Sequence, residues 1–513
     1  MEDFSDVENE SLPARRDEDE SVLDSARYSP LGEQAWTDPA ASIGAELRAD
    51  AARRLGIAIL RLERFLRREE CTRLDWDPTR RLGKTFIGEG RRLLRGALSE
   101  SAAPPCEPTL RSTYRLIGIL GNLTTWSAPA TQESHAIASF PVAAARDAVA
   151  YSRFGGAEIA AQELAYTSML GFDPLRARLL LTSSGMTAYA LIEAYLLREV
   201  LQRQDRILLH PSVYFETRQQ IVNLPQFCSC TAAGGSRTDM LAAIASCRPR
   251  VVFVDPLSNA ADFRAIDMMR LLDEADQICE QDTWFVVDST LLSGAFDPFA
   301  GPGRQRVRVL YYESGCKYLQ FGMDLGPAGL VVVEAALSER FEQLRRGIGA
   351  IGSDALVLPR ASRQAYLNYL RAQTACAQAV ARAATVEYSS SARCIIEPVH
   401  PLQVSHPDHA EARKYLHLGG VLVFRFARPP LNRRRPLEDF IDLLIDRARS
   451  AKLPLTAGVS FGFCVPRIGA AWSSYEVDEA FLRLSAGIDL ALAAALGRLV
   501  VECAHKFVAK AVH

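Results

Sequence analysis

The sequence predicts an α/β protein: a mostly parallel sheet flanked by helices, with a smaller C-terminal α+β domain and an N-terminal helical extension. Three observations predict it. Beyond about Ala130 short β-branched apolar runs alternate with longer helical stretches, the pattern of a parallel sheet covered on both faces. From about Leu402 strands and helices mix as in a small α+β unit. The 513 residues, 48% hydrophobic and 23% charged, supply one large body with attachments and exclude a fibrous or largely disordered chain. The expected divisions are 1–40, 41–129, 130–395 and 396–513.

Residues 1–40 are rich in Asp, Glu, Ser and Pro without a sustained apolar period, which predicts a disordered acidic tail. From Gly44 to Leu98, Leu47, Leu55, Ile59, Leu60, Leu62 and Phe65 recur near helical spacing and predict amphipathic helices packed on the main body or on a partner subunit. Their arginines (Arg61, Arg64, Arg67, Arg68, Arg91, Arg92 and Arg95) are interspersed with Glu63, Glu69, Glu70 and Glu89, so solvated faces are expected rather than nucleic-acid binding. Ala102 to Pro108 reads as a linker.

In the main body, strands are expected at Arg178–Thr182, Arg206–His210, Arg250–Asp255, Trp284–Asp288, Val307–Tyr311 and Gly329–Val333, with a long helix at Thr187–Leu201. The C-terminal region adds strands at Gly420–Phe426 and Arg483–Ile488 and a helix at Leu437–Ala448.

The charges, 59 Lys+Arg against 61 Asp+Glu, nearly cancel, so no global field draws the protein to nucleic acid or to an anionic membrane. Eleven cysteines, odd in number and without a C-x-x-C pair, fit neither a disulfide framework nor a zinc site, and no metal is expected. The acidic start MEDFSDVENE is no export signal, and no window is long and apolar enough to span a membrane; a cytoplasmic protein is expected.

In an open parallel sheet, polar residues at strand ends converge on one ligand crevice. Ser184-Gly185-Met186 lies between a strand and a helix, where free N–H groups attract a phosphate. Asp288 ends an apolar strand, an expensive place for a carboxylate unless a cation or strong donor meets it. Lys317 follows Ser314-Gly315-Cys316 after another strand. Phosphate cradle, buried Asp and buried Lys are what pyridoxal 5'-phosphate requires: the Asp keeps the pyridine nitrogen protonated and the Lys forms the Schiff base.

With these residues in place the chain resembles the cysteine/methionine-metabolism family of fold-type I pyridoxal-phosphate enzymes, which includes cystathionine γ-synthase, cystathionine lyases and methionine γ-lyase. The resemblance runs from about Ala130 to about Ala495. Tyr151-Ser-Arg-Phe-Gly155 is similar to the family's Y-S-R-x-G, which implies that Tyr151 and Arg153 reach the cofactor of a neighbouring subunit. Ser184-Gly-Met186 resembles its phosphate-binding S-G-M, and Tyr214 falls where a Tyr stacks on the pyridine ring. Ser258-Asn259 resembles the S-N whose Asn touches the cofactor hydroxyl. Asp288-Ser-Thr290 stands for D-N-T, so Thr290 joins the cofactor set, and Ser314-Gly-Cys-Lys317 stands for S-A-T-K. Arg483-Leu-Ser-Ala-Gly-Ile488 resembles R-L-S-V-G-I, whose Arg clamps the substrate carboxylate.

The departures concentrate on the substrate side. Cys316 replaces the Thr that binds phosphate, a weaker donor. Phe321-Gly-Met-Asp324 replaces G-H-S-D, and Ser460-Phe-Gly-Phe-Cys-Val-Pro466 replaces S-L-G-G-x-E-S, with Ser460 expected beside the substrate.

The resemblance implies γ-elimination or γ-replacement on an amino acid with a Cγ leaving group, such as an activated homoserine, cystathionine or S-adenosylmethionine, in a specialised biosynthetic member. Lys317 is the expected proton carrier, with Tyr214 and Tyr151 assisting at the leaving group. A β-lyase acting on cystathionine or cysteine conjugates needs the same Lys, Asp and Arg; an inactive scaffold that kept the fold is the other alternative. The expected partners are a small amino-acid substrate and further copies of the chain, in a dimer or a dimer of dimers with shared active sites, and neither nucleic acid nor membrane.

Overall fold

The computed structural model describes residues 39–67, 77–95, 108–125, 157–224, 226–301, 303–350, 357–389, 395–472 and 479–510. The expected tail and the linker at 102–108 lie almost wholly outside the described residues.

Three helices form the amino-terminal extension: α1 (Pro39–Leu66), α2 (Asp77–Arg95) and α3 (Pro108–Thr125). In α1, Ile43, Leu47, Ala51, Leu55, Ala58, Ile59, Leu62 and Leu66 recur with helical period along one face, and all are buried. Leu60, expected on that apolar face, is instead 57% exposed. Gly90 lets α2 lie close: a β-carbon there would stand 2.8 Å from Ile59 Cδ1. The extension docks on the main body. Asp50, 6% exposed, accepts the Tyr114 hydroxyl at 2.9 Å and the Arg360 backbone N–H at 3.1 Å. Arg54 donates to the Leu358 carbonyl at 2.7 Å, and Glu46 accepts the Ser362 N–H at 2.8 Å. The arginine faces are solvated as expected, with Arg91 paired to Glu63 and Arg92 to Glu89.

The main body follows in the order α4 (Ala157–Leu170), β1 (Ala177–Thr182), α5 (Gly185–Tyr195), β2 (Arg206–Leu209), α6 (Phe215–Val222), β3 (Cys228–Thr231), α7 (Arg237–Cys247), β4 (Val251–Val254), α8 (Met268–Ile278), β5 (Thr283–Asp288), β6 (Val307–Ser314), β7 (Gly329–Glu334) and α9 (Ser338–Ile348). The seven strands lie in the order β1-β7-β6-β5-β4-β2-β3, and only β7 runs antiparallel to its neighbours. Alternate strand residues feed two cores: Ile207, Leu209, Val251, Phe253 and Val286 one face, Leu208, Val252, Val254, Phe285 and Val287 the other. Two-sided burial is why these strands read as unbroken apolar runs.

The helix expected through Leu201 leaves α geometry at Leu196, continuing as a π turn to Val200 closed by the Leu201 N–H on the Leu196 carbonyl at 2.8 Å. Strand β6 runs three residues past the expected end, to Ser314. Strand β3 has no apolar run to announce it, because at the sheet edge its residues are largely exposed.

The long helix α10 (Arg363–Ser389) leads to β8 (Ile396–Val399), α11 (His409–Ala412), β9 (Val421–Phe426), α12 (Arg434–Ser450), β10 (Thr456–Ala457), β11 (Arg467–Ala471), β12 (Phe481–Ser485) and α13 (Leu490–Lys510). Their strands form a second sheet in the order β10-β11-β12-β9-β8. Gly497 admits α13 against α10, since a β-carbon would meet the Val380 carbonyl oxygen at 2.4 Å. The strand expected at Arg483–Ile488 starts at Phe481 and stops at Ser485; Gly487, at φ +76°, turns the chain away. Among the described residues no helix is long and apolar enough to cross a membrane.

Candidate active site

The described polar residues singled out in the main body lie at or after the ends of the parallel strands β1, β2, β4, β5 and β6, where Arg483 of the second sheet meets them. At the mouth of α5 the Ser184 hydroxyl accepts the Thr187 N–H at 3.0 Å and caps the helix, while Ser183 donates to Thr187 Oγ1 at 3.1 Å. Gly185 is required by closeness: a β-carbon would stand 2.9 Å from Ser314 Cβ and 3.0 Å from its Cα. Gly329 is tighter still, its hypothetical β-carbon lying 2.1 Å from the Ser184 carbonyl oxygen. Serine hydroxyls and the first N–H groups of an 11-residue helix therefore converge in one cradle. Met186 contributes its backbone there and packs its side chain against the core. Cys316 turns away, its thiol directed to the carbonyls of Gly326 (3.8 Å) and Ala328 (3.6 Å).

Asp288 closes β5 with Oδ1 accepting the Thr290 N–H at 2.9 Å, and Thr290 Oγ1 accepts the Ser314 N–H at 3.0 Å, tying the two strand ends together. Asp255, at the end of β4, accepts the Tyr214 N–H at 3.0 Å. Burial pushes both carboxyls up; the Asp288 charge raises Asp255 further, and donors from Thr290 and Tyr312 oppose the rise at Asp288. Two interacting carboxyls, Asp255 buried and Asp288 partly buried, call for a cation or a strong donor beside them.

Lys317 stands at the start of the turn after β6, its ammonium donating to Ser460 Oγ at 2.8 Å and lying 5.2 Å from the centre of the Phe461 ring. Burial, then the Arg483 charge, lower its pKa. Arg483, reaching across from β12, donates to Asn259 Oδ1 at 2.6 Å and to the Val459 carbonyl, and shares the Phe461 ring at 5.6 Å. Its Nε is buried without a partner. Burial holds its pKa down to about 10, so the guanidinium stays charged at neutral pH. Tyr214 lies within electrostatic reach of both Asp288 and Arg483, and burial, then Glu216, raise its hydroxyl.

The 460–466 loop is fastened to the lysine turn. Gly462, at φ +83°, accepts the Tyr369 hydroxyl at 2.6 Å, and the Cys464 thiol donates to the Phe321 carbonyl at 3.3 Å. From the other side α3 reaches the end of that turn, Arg111 and Arg115 donating to the Asp324 carbonyl at 3.3 and 3.4 Å.

The structure thus brings together Ser184, Gly185, Met186, Tyr214, Asn259, Asp288, Thr290, Ser314, Lys317, Ser460 and Arg483. Tyr151 and Arg153 lie outside the described residues. Sequence reasoning gave no role to Asp255, though a carboxylate closing Val251–Val254 is the same signal that exposed Asp288. It also missed Phe461, whose position between two cations depends on a loop fold that no local pattern reveals. Among the described residues no cluster of His, Cys, Asp or Glu could hold a metal ion.

The fold is that of the fold-type I pyridoxal-phosphate enzymes. Cystathionine gamma synthase from Xanthomonas oryzae pv. oryzae, crystallised with cystathionine, aligns with a TM-score of 0.54 at 22% identity, covering 70% of this chain and 88% of that one. Cystathionine gamma-lyase from yeast aligns at 0.53 and 19% identity, covering 69% and 88%. The metB protein of Corynebacterium glutamicum aligns at 0.52 and 20%, covering 69% and 87%. In sequence, the bifunctional enzyme flvA of Aspergillus flavus is 29% identical over 352 residues, 66% of this chain and 41% of that protein. The chain thus spans about two fifths of the length of the curated relative it matches. No family model matches it.

Proposed function

We propose that this chain is a pyridoxal-phosphate enzyme that carries out γ-elimination or γ-replacement on an amino acid bearing a leaving group at Cγ. The observation that carries the proposal is the meeting of Lys317, with its lowered pKa, and the partly buried guanidinium of Arg483 on one ring, Phe461, within electrostatic reach of Asp288. The residues present fit the cofactor. The Ser184–Gly185 cradle against Ser314 suits its phosphate, and Asp288 suits its ring nitrogen, whose proton answers the demand of the Asp255–Asp288 pair. When bound, pyridoxal phosphate supplies an electron sink for charge developing at Cα and Cβ.

Arg483 is suited to grip the α-carboxylate through its planar fork. Lys317, its pKa lowered by burial and by Arg483, is suited to accept the proton from Cα, hand it on, and then take one from Cβ; Ser460 Oγ, 2.8 Å from its nitrogen, steers the amine. Tyr214, with a raised pKa, keeps its proton and can deliver it to the departing γ-group. We also propose a homo-oligomer in which Tyr151 and Arg153 enter the neighbouring site, a specialised biosynthetic role, and one of the two activities of a bifunctional relative as the counterpart of this chain.

The test is spectroscopic and chemical. The purified chain with pyridoxal phosphate is expected to show a visible absorbance band that Lys317→Ala abolishes, and to release 2-oxobutanoate from an O-acylated homoserine. Pyruvate from cystathionine, without 2-oxobutanoate, would establish β-elimination instead; a chain with no band would be a scaffold.

A further inference from the structure

Strands β11 and β12 pair antiparallel with Arg467 opposite Ser485 and Gly469 opposite Arg483. Opposed residues share a face, as do alternate residues along a strand, so Arg467, Gly469, Arg483 and Ser485 lie on one side of the sheet. Ile468, Ala470, Leu482 and Leu484 fill the core on the other side. Arg483 shows where the first side looks, because it bonds Asn259 across the cleft at 2.6 Å.

The Arg467 guanidinium carbon lies 3.6 Å from the centre of the Phe463 ring, a cation–π contact that holds the fork in place. Among the described residues no carboxylate pairs with Arg467 or with Arg483. Opposite Arg467, Ser485 is 2% exposed and its hydroxyl is buried without a hydrogen-bond partner, as is Arg483 Nε. The cleft therefore holds three cations, Lys317, Arg467 and Arg483, and the Arg467 charge reaches Lys317. One α-carboxylate matches Arg483 and leaves Arg467 unanswered.

We propose that Arg467, seated on Phe463, is a second anion-binding position on the substrate side of the cleft, and that a reactant carries a carboxylate there in addition to the α-carboxylate held by Arg483. The inference rests on the γ-type reaction proposed above and narrows its substrate class. The carboxylate belongs either to the γ-substituent of the amino acid or to the incoming nucleophile, and Arg467 selects for it without touching the bonds that change.

Kinetics of the holoenzyme separate the two sources. O-acetyl- and O-succinyl-L-homoserine, the second longer by a carboxymethyl group that ends in a distal carboxylate, form one arm; O-acetyl-L-homoserine with 2-mercaptoethanol or with 3-mercaptopropionate forms the other. In one arm the carboxylate-bearing compound is expected to have a KM lower by roughly tenfold, the arm identifying its source. Arg467→Gln is expected to erase that difference and Arg467→Lys to keep most of it, with kcat changing less than about twofold. Equal KM values in both arms, in an enzyme that turns over, would overturn this inference and leave the proposed function standing. If nothing turns over, the function fails, and calorimetry decides on Arg467 alone: L-2-aminoadipate must bind more tightly than L-norleucine, and equal binding overturns the inference.

Discussion

Gly462 lies so close to Lys317 that a β-carbon on the glycine would stand 2.7 Å from the lysine's carbonyl carbon. The substrate loop and the turn bearing the reactive amine are therefore set by backbone contact. Because Gly462 also sits at φ +83°, Gly462→Ala meets both a steric and a conformational penalty. The substitution is expected to lower kcat more than tenfold while the cofactor's absorbance band survives, as spectroscopy and steady-state kinetics on one preparation would show.

Arg483 depresses the Lys317 pKa through its charge. In the cofactor-free protein, Arg483→Gln is expected to raise that pKa and so to shift the acid limb of Lys317 acylation, followed by mass spectrometry of the modified peptide, to higher pH. A limb that stays in place would mean that burial alone sets the amine.

Glu313, one residue before the end of β6, is 1% exposed, and burial, aided by the Asp288 charge, raises its pKa from an ordinary 4.5 to about 8. Between those values the folded chain holds a proton that the unfolded chain releases, so the folded state loses stability as pH rises through the window. Melting temperature is expected to fall between about pH 5 and pH 8 in the cofactor-free protein, and Glu313→Gln to flatten that slope.

Asp50 gathers the Tyr114 hydroxyl, Arg53, Arg54 and the Arg360 N–H at a site 6% exposed. Asp50→Ala leaves those donors without their acceptor and is expected to cost about 3 kcal/mol. Denaturant titration would measure the loss, and proteolysis would show cleavage beginning between α1 and α3.

The proposed sharing of active sites between subunits makes subunit mixing informative. Tyr151→Phe and Lys317→Ala homo-oligomers are each expected to be impaired, and co-refolded mixtures to regain about a quarter of wild-type activity through the hybrid's one intact site. Mixtures with no recovery would show that Tyr151 serves its own subunit.

The parallel strands were legible because both their faces are buried, as Val251–Val254 and Thr283–Asp288 show, and a carboxylate ending such a run marked Asp288. Edge strand β3, Cys-Ser-Cys-Thr, was not legible, since exposure removes the apolar signal. Site residues were legible as types in order; their contacts were less so. Asn259, expected toward the cofactor hydroxyl, bonds Arg483 at 2.6 Å, and the roles of Phe461 and Gly462 arise from two segments more than a hundred residues apart in sequence meeting in space.

Arg111 and Arg115 give the amino-terminal helices a mechanical meaning. The turn that starts at Lys317 ends near Asp324, at φ +49°, and α3 hooks its last carbonyl while the 460–464 loop presses its beginning. A chain trimmed to the two sheets would keep every described site residue yet lose the outer buttress of the segment that carries the amine. The extension is thus the second jaw of a vice around the lysine.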